Sequence, residues 1–285
     1  MIVDIHTHIF PPEIIARRER YLARDAWFRH LYEGPKARMA TAEDLIAEMD
    51  RSGVDLSVAF CFAWSDMGLC RETNDYVLDA CRRHPGRLVG FACVQPRAGR
   101  EAAREVERCV GEGMRGVGEL MPDGQGFDLD DPQVMGPVAR AAMEAGVPLM
   151  VHTSEPVGHD YCGKGTVTPG TVYAFARQFP GLTLICSHWG GGLPFYELMP
   201  EVREALAHTY YDTAASPYLY DDRIFTWVGG AMPQKVLLGT DYPLLPQGRF
   251  LERVRKSGLP PEVQALILGE NAARLLKVQR VAQGQ

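Results

Sequence analysis

The sequence predicts a single (β/α)8 barrel of the TIM type, within the α/β class. Short apolar runs rich in β-branched residues alternate along the chain with longer segments of helical periodicity. Eight such strands, with helical segments between them, fit into 285 residues without a change in composition that would mark a second domain. Near-continuous apolar runs are typical of parallel strands that helices cover on the outside. The predicted strands are residues 2–6, 56–62, 88–94, 116–120, 148–152, 183–187, 209–213 and 236–240.

The segments between these strands carry helix start and stop signals. Thr41 followed by Asp44 is typical of an N-cap with an acid in the first turn, and Ser52-Gly53 ends the same helix. Most later helices stop at a glycine or at a Pro-Gly pair. The other predicted helices are residues 72–84, 101–110, 132–145, 171–179, 194–208 and 261–276.

One connection is longer than a barrel loop needs to be. Residues 9–40 form an insertion that is rich in arginine and aromatic side chains. Because it leaves the carboxyl end of the first strand, we expect a lid over the barrel mouth, with Arg38 binding an anionic substrate. The same composition equally fits a homo-oligomer contact or a solvated helix. We expect the barrel to span residues 1–277, with a polar tail at 278–285.

Charge and composition exclude several classes of function. The net charge is −6, which makes the chain a poor candidate for sequence-independent nucleic-acid binding, although this balance still permits a local basic patch. No apolar run approaches the roughly 18–20 residues of a membrane span, and we recognise no secretory signal before the first strand. The seven cysteines contain no Cys-x-x-Cys motif, which favours free thiols. We therefore expect a cytoplasmic protein with no membrane and no nucleic-acid partner.

Two histidines at the end of the first predicted strand indicate a metal site. His6 and His8 lie two residues apart, and side chains at that spacing in a strand point to the same face. A His-x-His pair alone also fits two hydrogen-bonded core residues. A metal site needs further ligands at the ends of neighbouring strands.

Such ligands are present, because in a barrel the functional side chains come from the carboxyl ends of the strands. The candidates are His6 and His8 on the first strand, Glu119 on the fourth, His152 on the fifth, His188 on the sixth and Asp241 on the eighth. Polar groups that converge at a buried mouth destabilise the fold unless they are compensated, and a bound metal compensates them. Trp189, directly after His188, fits either a substrate pocket or packing at the barrel rim.

This ligand set resembles the amidohydrolase superfamily of metal-dependent barrels over nearly the whole chain. The Ser-His-Trp-Gly-Gly run at 187–191, the Gly-Thr-Asp-Tyr-Pro run at 239–243 and the long insertion resemble its amidohydrolase-related branch. That branch includes aminocarboxymuconate semialdehyde decarboxylase, benzoate decarboxylases, hydratases and lactonases. The resemblance implies one zinc ion held by His6, His8, His152 and Asp241, with His188 free to activate metal-bound water.

Glu119 departs from that pattern. A strand-4 glutamate together with histidines on strands 5 and 6 resembles the TatD-like hydrolases, in which the glutamate bridges two metals. Other branches use a carboxylated lysine as the bridge, and this chain has no lysine near strand 4. One or two divalent ions, most simply Zn²⁺, therefore fit the ligands, and manganese, cobalt and iron fit them as well.

Two enzyme hypotheses follow. In the first, a hydrolase holds one ion with His6, His8 and Asp241 and a second with His152 and His188, and Glu119 bridges the two. Asp241 is the general base for a water that attacks an amide, lactone or ester carbonyl of a small anionic molecule. In the second, a one-metal decarboxylase or hydratase acts on an unsaturated carboxylic acid, with His188 as acid and base.

Overall fold

The predicted barrel is confirmed by the computed structural model, which describes residues 1–279. Eight parallel strands follow one another around the sheet in chain order. They are β1 (Val3–His8), β2 (Leu56–Phe60), β3 (Leu88–Ala92), β4 (Gly116–Leu120), β5 (Leu149–Val151), β6 (Leu184–Cys186), β7 (Thr209–Asp212) and β8 (Val236–Leu237). The ring closes between its first and last strands, where Ile5 N donates to Leu238 O at 2.8 Å and His8 N donates to Tyr242 O at 2.7 Å.

Helices surround this barrel and connect its strands. The helices are α1 (Pro12–Ala16), α2 (Arg18–Leu22), α3 (Ala26–Tyr32), α4 (Ala42–Ser52), α5 (Met67–Arg83), α6 (Arg100–Gly111), α7 (Pro122–Gln125), α8 (Pro132–Ala145), α9 (Pro169–Gln178), α10 (Pro200–Ala205), α11 (Ser216–Leu219), α12 (Gln247–Lys256), α13 (Pro261–Ala265) and α14 (Asn271–Leu276). Short 3-10 turns lie at Pro96–Ala98 and Pro233–Lys235, and π-helical turns lie at Phe225–Gly229 and Leu266–Glu270.

The signals at the ends of α4 act as predicted. The Thr41 hydroxyl accepts the backbone N–H of Asp44 at 3.2 Å, and the Asp44 carboxylate accepts the backbone N–H of Thr41 at 2.9 Å. Gly53 ends the helix in the left-handed conformation, with φ of 72°. This reciprocal capping satisfies backbone donors that the first turn of a helix leaves free.

The predicted helix at 194–208 is wrong in its extent. The structure forms only α10 (Pro200–Ala205), because the segment before it is a 3-10 region with left-handed residues and Met199 is extended. The predicted helix at 261–276 is interrupted by the π-helical turn between α13 and α14. Local periodicity does not report the close approach of Gly191 to Ser154 before the first of these segments, or that of Gly269 to Met1 within the second.

The hydrophobic core lies in two layers. Inward side chains such as Ile5, Val58, Phe91, Met150 and Ile185 fill the barrel itself. Larger clusters fill the space between the sheet and the helices on either side. Burial of this apolar surface gives a rigid barrel, whose mouth then holds functional side chains at fixed positions.

The insertion at 9–40 folds into α1, α2 and α3. Phe28 of α3 is fully buried and contacts Trp64, with ring centroids 4.7 Å apart. Asp25, the N-cap of α3, accepts hydrogen bonds from the backbone and hydroxyl of Ser65 at 2.9 and 2.7 Å. These contacts join the insertion to the loop after β2.

The remaining predictions concern the tail, the cysteines and the membrane. Val278 and Gln279 follow α14, and residues 280–285 of the predicted tail lie outside the described residues. All seven cysteines are free thiols, as expected from their pattern. Within residues 1–279, no helix has both the length and the apolar content to cross a bilayer.

Candidate metal centre

His6 and His8 of β1 point into the mouth side by side, as their spacing predicts. Their Nε2 atoms lie 3.2 Å apart. The outer nitrogen of each ring has another partner: His6 Nδ1 lies 2.8 Å from Asp212 Oδ2, and His8 Nδ1 lies 3.3 Å from Cys61 O. With Nδ1 donating outward, each ring in its neutral form presents the lone pair of Nε2 to a metal.

Glu119 at the end of β4 lies between the two halves of the site. Its Oε2 lies 3.7 Å from His6 Nε2, whereas its Oε1 lies 3.1 Å from His152 Nδ1 and 3.6 Å from His188 Nε2. Burial opposes ionisation of this carboxyl group, but His6 and His152 hold its pKa well below the usual range. The side chain is therefore a carboxylate with one oxygen facing each half.

His152 and His188 form the second half. His152 Nδ1 and His188 Nε2 lie 3.1 Å apart, while His152 Nε2 contacts Gly163 O at 2.8 Å and His188 Nδ1 contacts Ala214 O at 3.1 Å. Burial and the neighbouring His152 lower the pKa of His188. A neutral His188 that donates from Nδ1 presents an unprotonated Nε2 to the centre.

Asp241 follows β8 and completes the first half. Its Oδ1 lies 3.4 Å from His8 Nε2 and 3.7 Å from His6 Nε2. Burial raises the pKa of this carboxyl group, but contact with His8 and the charge of His6 outweigh burial and lower the pKa to about 2. Asp241 is therefore ionised at neutral pH.

The structure thus brings all six predicted ligands together: five of them form two sets that share Glu119, and Asp241 lies beside the first set. The sets are His6, His8 and Glu119, and Glu119, His152 and His188; the donor atoms within each set lie within 4.8 Å of one another. The 3.2 Å between His6 and His8 Nε2 fits two nitrogens on one ion at the usual bond length of about 2.0–2.1 Å. Imidazole and carboxylate donors suit a divalent transition metal, so the residues present fit such an ion.

Asp212 at the end of β7 is a site residue that the sequence analysis missed. Its Oδ2 contacts His6 Nδ1, and its Oδ1 accepts the backbone N–H of His188 at 2.9 Å. The signal for it was present, because Asp212 ends the seventh strand as the other ligands end theirs. Asp212 contacts the His6 nitrogen that faces away from the centre, so it orients this candidate ligand without facing the centre itself.

A left-handed turn follows β6 and carries His188. The five residues 188–192 all have positive φ, between 56° and 93°. A Cβ at Gly191 would lie 2.3 Å from Ser154 O, so the loop after β5 approaches too closely for any side chain there.

Trp189 lies within that turn, and its indole is fully buried. It donates a hydrogen bond to the Ser216 hydroxyl and packs edge-on against Phe225, with ring centroids 5.5 Å apart. Packing at the barrel rim describes this position, because a substrate finds no exposed indole surface to contact.

The insertion supplies Tyr32 to the surroundings of the centre and leaves Arg38 outside. Burial, with contributions from Asp241 and Glu119, raises the pKa of Tyr32, whose ring packs on Phe28 with centroids 4.7 Å apart. Arg38 is exposed and lines an outer groove that contains none of the six ligands. The residue of the insertion that lies near the candidate ligands is therefore Tyr32, in place of the predicted Arg38.

Access to the centre is uneven. The side chains of His6, Glu119, His152 and His188 are between 0% and 6% exposed, whereas those of His8 and Asp241 are 14% and 15% exposed. The edge formed by β1 and β8 is therefore the more open side of the mouth.

Comparison with known proteins agrees with this fold. The family model described as amidohydrolase matches residues 3–278, almost the whole chain. The chain therefore belongs to the amidohydrolase family. Within that family it resembles the branch of aminocarboxymuconate semialdehyde decarboxylase, as the sequence analysis expected.

Three relatives illustrate the similarity. The chain is 22% identical over 335 residues to 2-amino-3-carboxymuconate-6-semialdehyde decarboxylase of Dictyostelium discoideum, covering 96% of this chain and 91% of that protein. The structure of 5-carboxyvanillate decarboxylase from Sphingomonas paucimobilis superposes with a TM-score of 0.80 at 21% identity, covering 98% and 99% of the two chains. The Novosphingobium aromaticivorans 5-carboxyvanillate decarboxylase, complexed with manganese and 4-hydroxy-3-methoxy-5-nitrobenzoic acid, superposes with a TM-score of 0.77 at 19% identity, covering 98% and 96%.

Proposed function

We propose that this protein is a metal-dependent decarboxylase of small unsaturated carboxylic acids, with aromatic acids as the first candidates. The observation that carries the proposal is a complete buried ligand set in a chain whose full-length relative is a decarboxylase. This choice favours the lyase hypothesis over the hydrolase hypothesis, because the similar proteins above are all named as decarboxylases.

The first half of the centre holds the ion in this proposal. His6, His8, Asp241 and Glu119 would supply its ligands, and the bound ion would supply a Lewis acid for the oxygens of the substrate. Manganese and zinc both fit these donors, and manganese is present in the Novosphingobium structure. The substrate would enter along the more open edge between β1 and β8.

His188 carries the proton in this proposal. Its Nδ1 is committed to Ala214 O, so only Nε2 exchanges a proton with the substrate or solvent. Once protonated, Nε2 would donate to the ring carbon that bears the carboxylate, and the bond between that carbon and the carboxylate would then break to release CO2. Tyr32 would help to position a polar group of the substrate from the lid side.

Release of CO2 is the direct test. The protein, loaded with Mn²⁺ or Zn²⁺, would be given ortho-hydroxybenzoates, vanillate-type acids and muconate-type acids, and CO2 would be measured together with loss of substrate absorbance. We expect turnover of at least one acid by wild type and by His208→Asn, which changes an exposed histidine, and a loss of at least 100-fold in His188→Asn. No CO2 from any acid with either metal would overturn the proposal.

A hydrolase with two ions is the second candidate, and the division of the donors into two sets favours it. Glu119 belongs to both sets, so it would bridge ions held by His6 and His8 on one side and by His152 and His188 on the other. Asp241 would then accept a proton from the attacking water. The same metal-loaded protein would be assayed on esters, lactones and amides, and hydrolysis without any CO2 release would select this function.

A further inference from the structure

A groove lies beside the insertion. It encloses about 610 Å³ between the insertion, α4 and the segment that follows β8. A volume of this size falls within the usual range of roughly 300–1,000 Å³ for small-molecule sites. None of the six candidate metal ligands lines it.

Two arginines in the groove have no acidic partner. Among the described residues, neither Arg18 nor Arg38 forms a hydrogen bond or an ion pair, although both line the groove. A third arginine, Arg51, is paired with Glu48 at 2.8 Å. Two guanidinium groups are therefore available to an anion, and each can bind a carboxylate with two parallel hydrogen bonds.

The acids in the groove limit the charge of its ligand. Asp44 is engaged by the backbone and hydroxyl of Thr41 at 2.9 and 2.8 Å, but its negative charge remains in the lining beside that of Glu48. Three arginines against two carboxylates leave a net charge of about +1, which suits a singly charged anion better than a polyphosphate.

Apolar side chains and one tyrosine complete the lining of the groove. Ile15, Met39, Pro243 and Pro246 supply apolar surface. Tyr242 adds a phenol, whose hydroxyl can donate a hydrogen bond to a ligand. A ligand that fits this lining has one carboxylate and an apolar body.

We propose that this groove is a second ligand site, which binds a small organic monocarboxylate between Arg18 and Arg38. The site is independent of the metal-centre reaction, because it shares no side chain with it. It is nevertheless adjacent to that centre through the backbone: Tyr242 directly follows Asp241, and Tyr242 O accepts the His8 N–H at 2.7 Å. A ligand in the groove would therefore contact the same peptide segment that holds two candidate metal ligands.

The test measures binding of 4-fluorobenzoate to the metal-loaded protein by 19F NMR and calorimetry. Wild type is expected to bind the probe at two sites, the metal centre and the groove. The double variant Arg18→Ala/Arg38→Ala is expected to lose one of them, with affinity at least 10-fold weaker, and to keep the other. The matched control is Arg17→Ala/Arg20→Ala, which removes two exposed arginines that pair with Glu13 outside the groove. This control should bind like wild type.

Several results would overturn the proposal. They are an unchanged stoichiometry in Arg18→Ala/Arg38→Ala, an equal loss in both double variants, or equally tight binding of the neutral 4-fluorobenzamide. Inorganic phosphate that displaces the probe at equal concentration would show that the ligand class is wrong. A chain that releases no CO2 but still loses one probe site in the Arg18/Arg38 variant would separate this inference from the proposed function.

Discussion

One carboxylate, that of Asp212, connects a candidate metal ligand with the candidate proton carrier. Its Oδ2 lies 2.8 Å from His6 Nδ1, and its Oδ1 accepts the backbone N–H of His188 at 2.9 Å and that of Ala214 at 2.9 Å. Asp212 is fully buried and carries no salt bridge to lysine or arginine among the described residues. The position of His6 and the start of the left-handed turn at His188 therefore depend on the same side chain.

Replacing Asp212 should weaken metal binding. In Asp212→Asn the partner of His6 Nδ1 becomes a neutral amide, which orients the ring less firmly and lowers its basicity, so we expect affinity for Zn²⁺ or Mn²⁺ to fall about 10–100-fold. Competition with a metal-binding dye measures the affinity. Asp128→Asn, an exposed control, should bind metal like wild type. An unchanged metal affinity in Asp212→Asn would contradict the role of Asp212 in positioning His6.

Metal content distinguishes the one-ion and two-ion centres. If Glu119 bridges two ions, elemental analysis should find about two metals per wild-type chain and one or fewer in Glu119→Gln, because an amide oxygen is a weaker ligand and cannot bridge as a carboxylate does. If one ion is bound, both proteins should hold a single metal. Glu144→Gln, at an exposed position of α8, is the matched control. Protein that takes up no metal even after reconstitution would contradict both centres.

The close approach at Gly191 should make this position intolerant of a side chain. In Gly191→Ala the new Cβ would lie 2.3 Å from Ser154 O at a φ of +60°, so we expect a loss of roughly 2–4 kcal/mol in the free energy of unfolding. Gly53→Ala has a similar φ of +72° and nothing within 4 Å, and should cost only about 1 kcal/mol. Urea unfolding measures both, and equal losses would show that the contact with Ser154 contributes nothing.

Acid should weaken the fold through Glu105 of α6. Burial opposes its ionisation, but hydrogen bonds from Arg108 and Asn74 lower its pKa to about 2, below the ordinary value of 4.5. Because the folded-state pKa is the lower one, its contribution is complete above pH 4.5 and is lost as the pH falls from 4.5 towards 2.

The variant Glu105→Gln tests this contribution. It should be less stable than wild type by about 2 kcal/mol at pH 7, and the difference should shrink below pH 4.5. Unfolding by urea at pH 7, 5 and 3 measures it. Glu101→Gln, which removes an exposed pair with Arg71, should change stability little at any pH. A difference that stays constant between pH 7 and pH 3 would exclude the ionisation of Glu105 as its cause.

The barrel and its ligand positions were predictable because both follow from local rules. Apolar runs and helix stops located all eight strands within a few residues, and the spacing of His6 and His8 placed both rings on one face. The rule that functional side chains end barrel strands also selected Glu119 and Asp241. The same rule would have selected Asp212, had it been applied to the weaker seventh run.

The remaining features depend on contacts between distant segments. Whether Trp189 lines a pocket is decided by Ser216 and Phe225, which sequence spacing does not connect to it. The positions of Tyr32 and Arg38 depend on how α3 packs on the loop after β2. No periodic pattern reports such packing, so the insertion was predictable as a segment but the side chain that it places near the candidate ligands was not.

The six candidate ligands extend from residue 6 to residue 241, and the first and last of them meet only where β1 closes against β8. In an unfolded chain these ligands are not held close together. An ion bound by them would therefore bind the native state alone and would stabilise the closed barrel. By mass action, free metal at 100 times its dissociation constant would add about 2.7 kcal/mol to the free energy of unfolding. The concentration of free metal would then determine the thermal stability of this barrel as well as its activity.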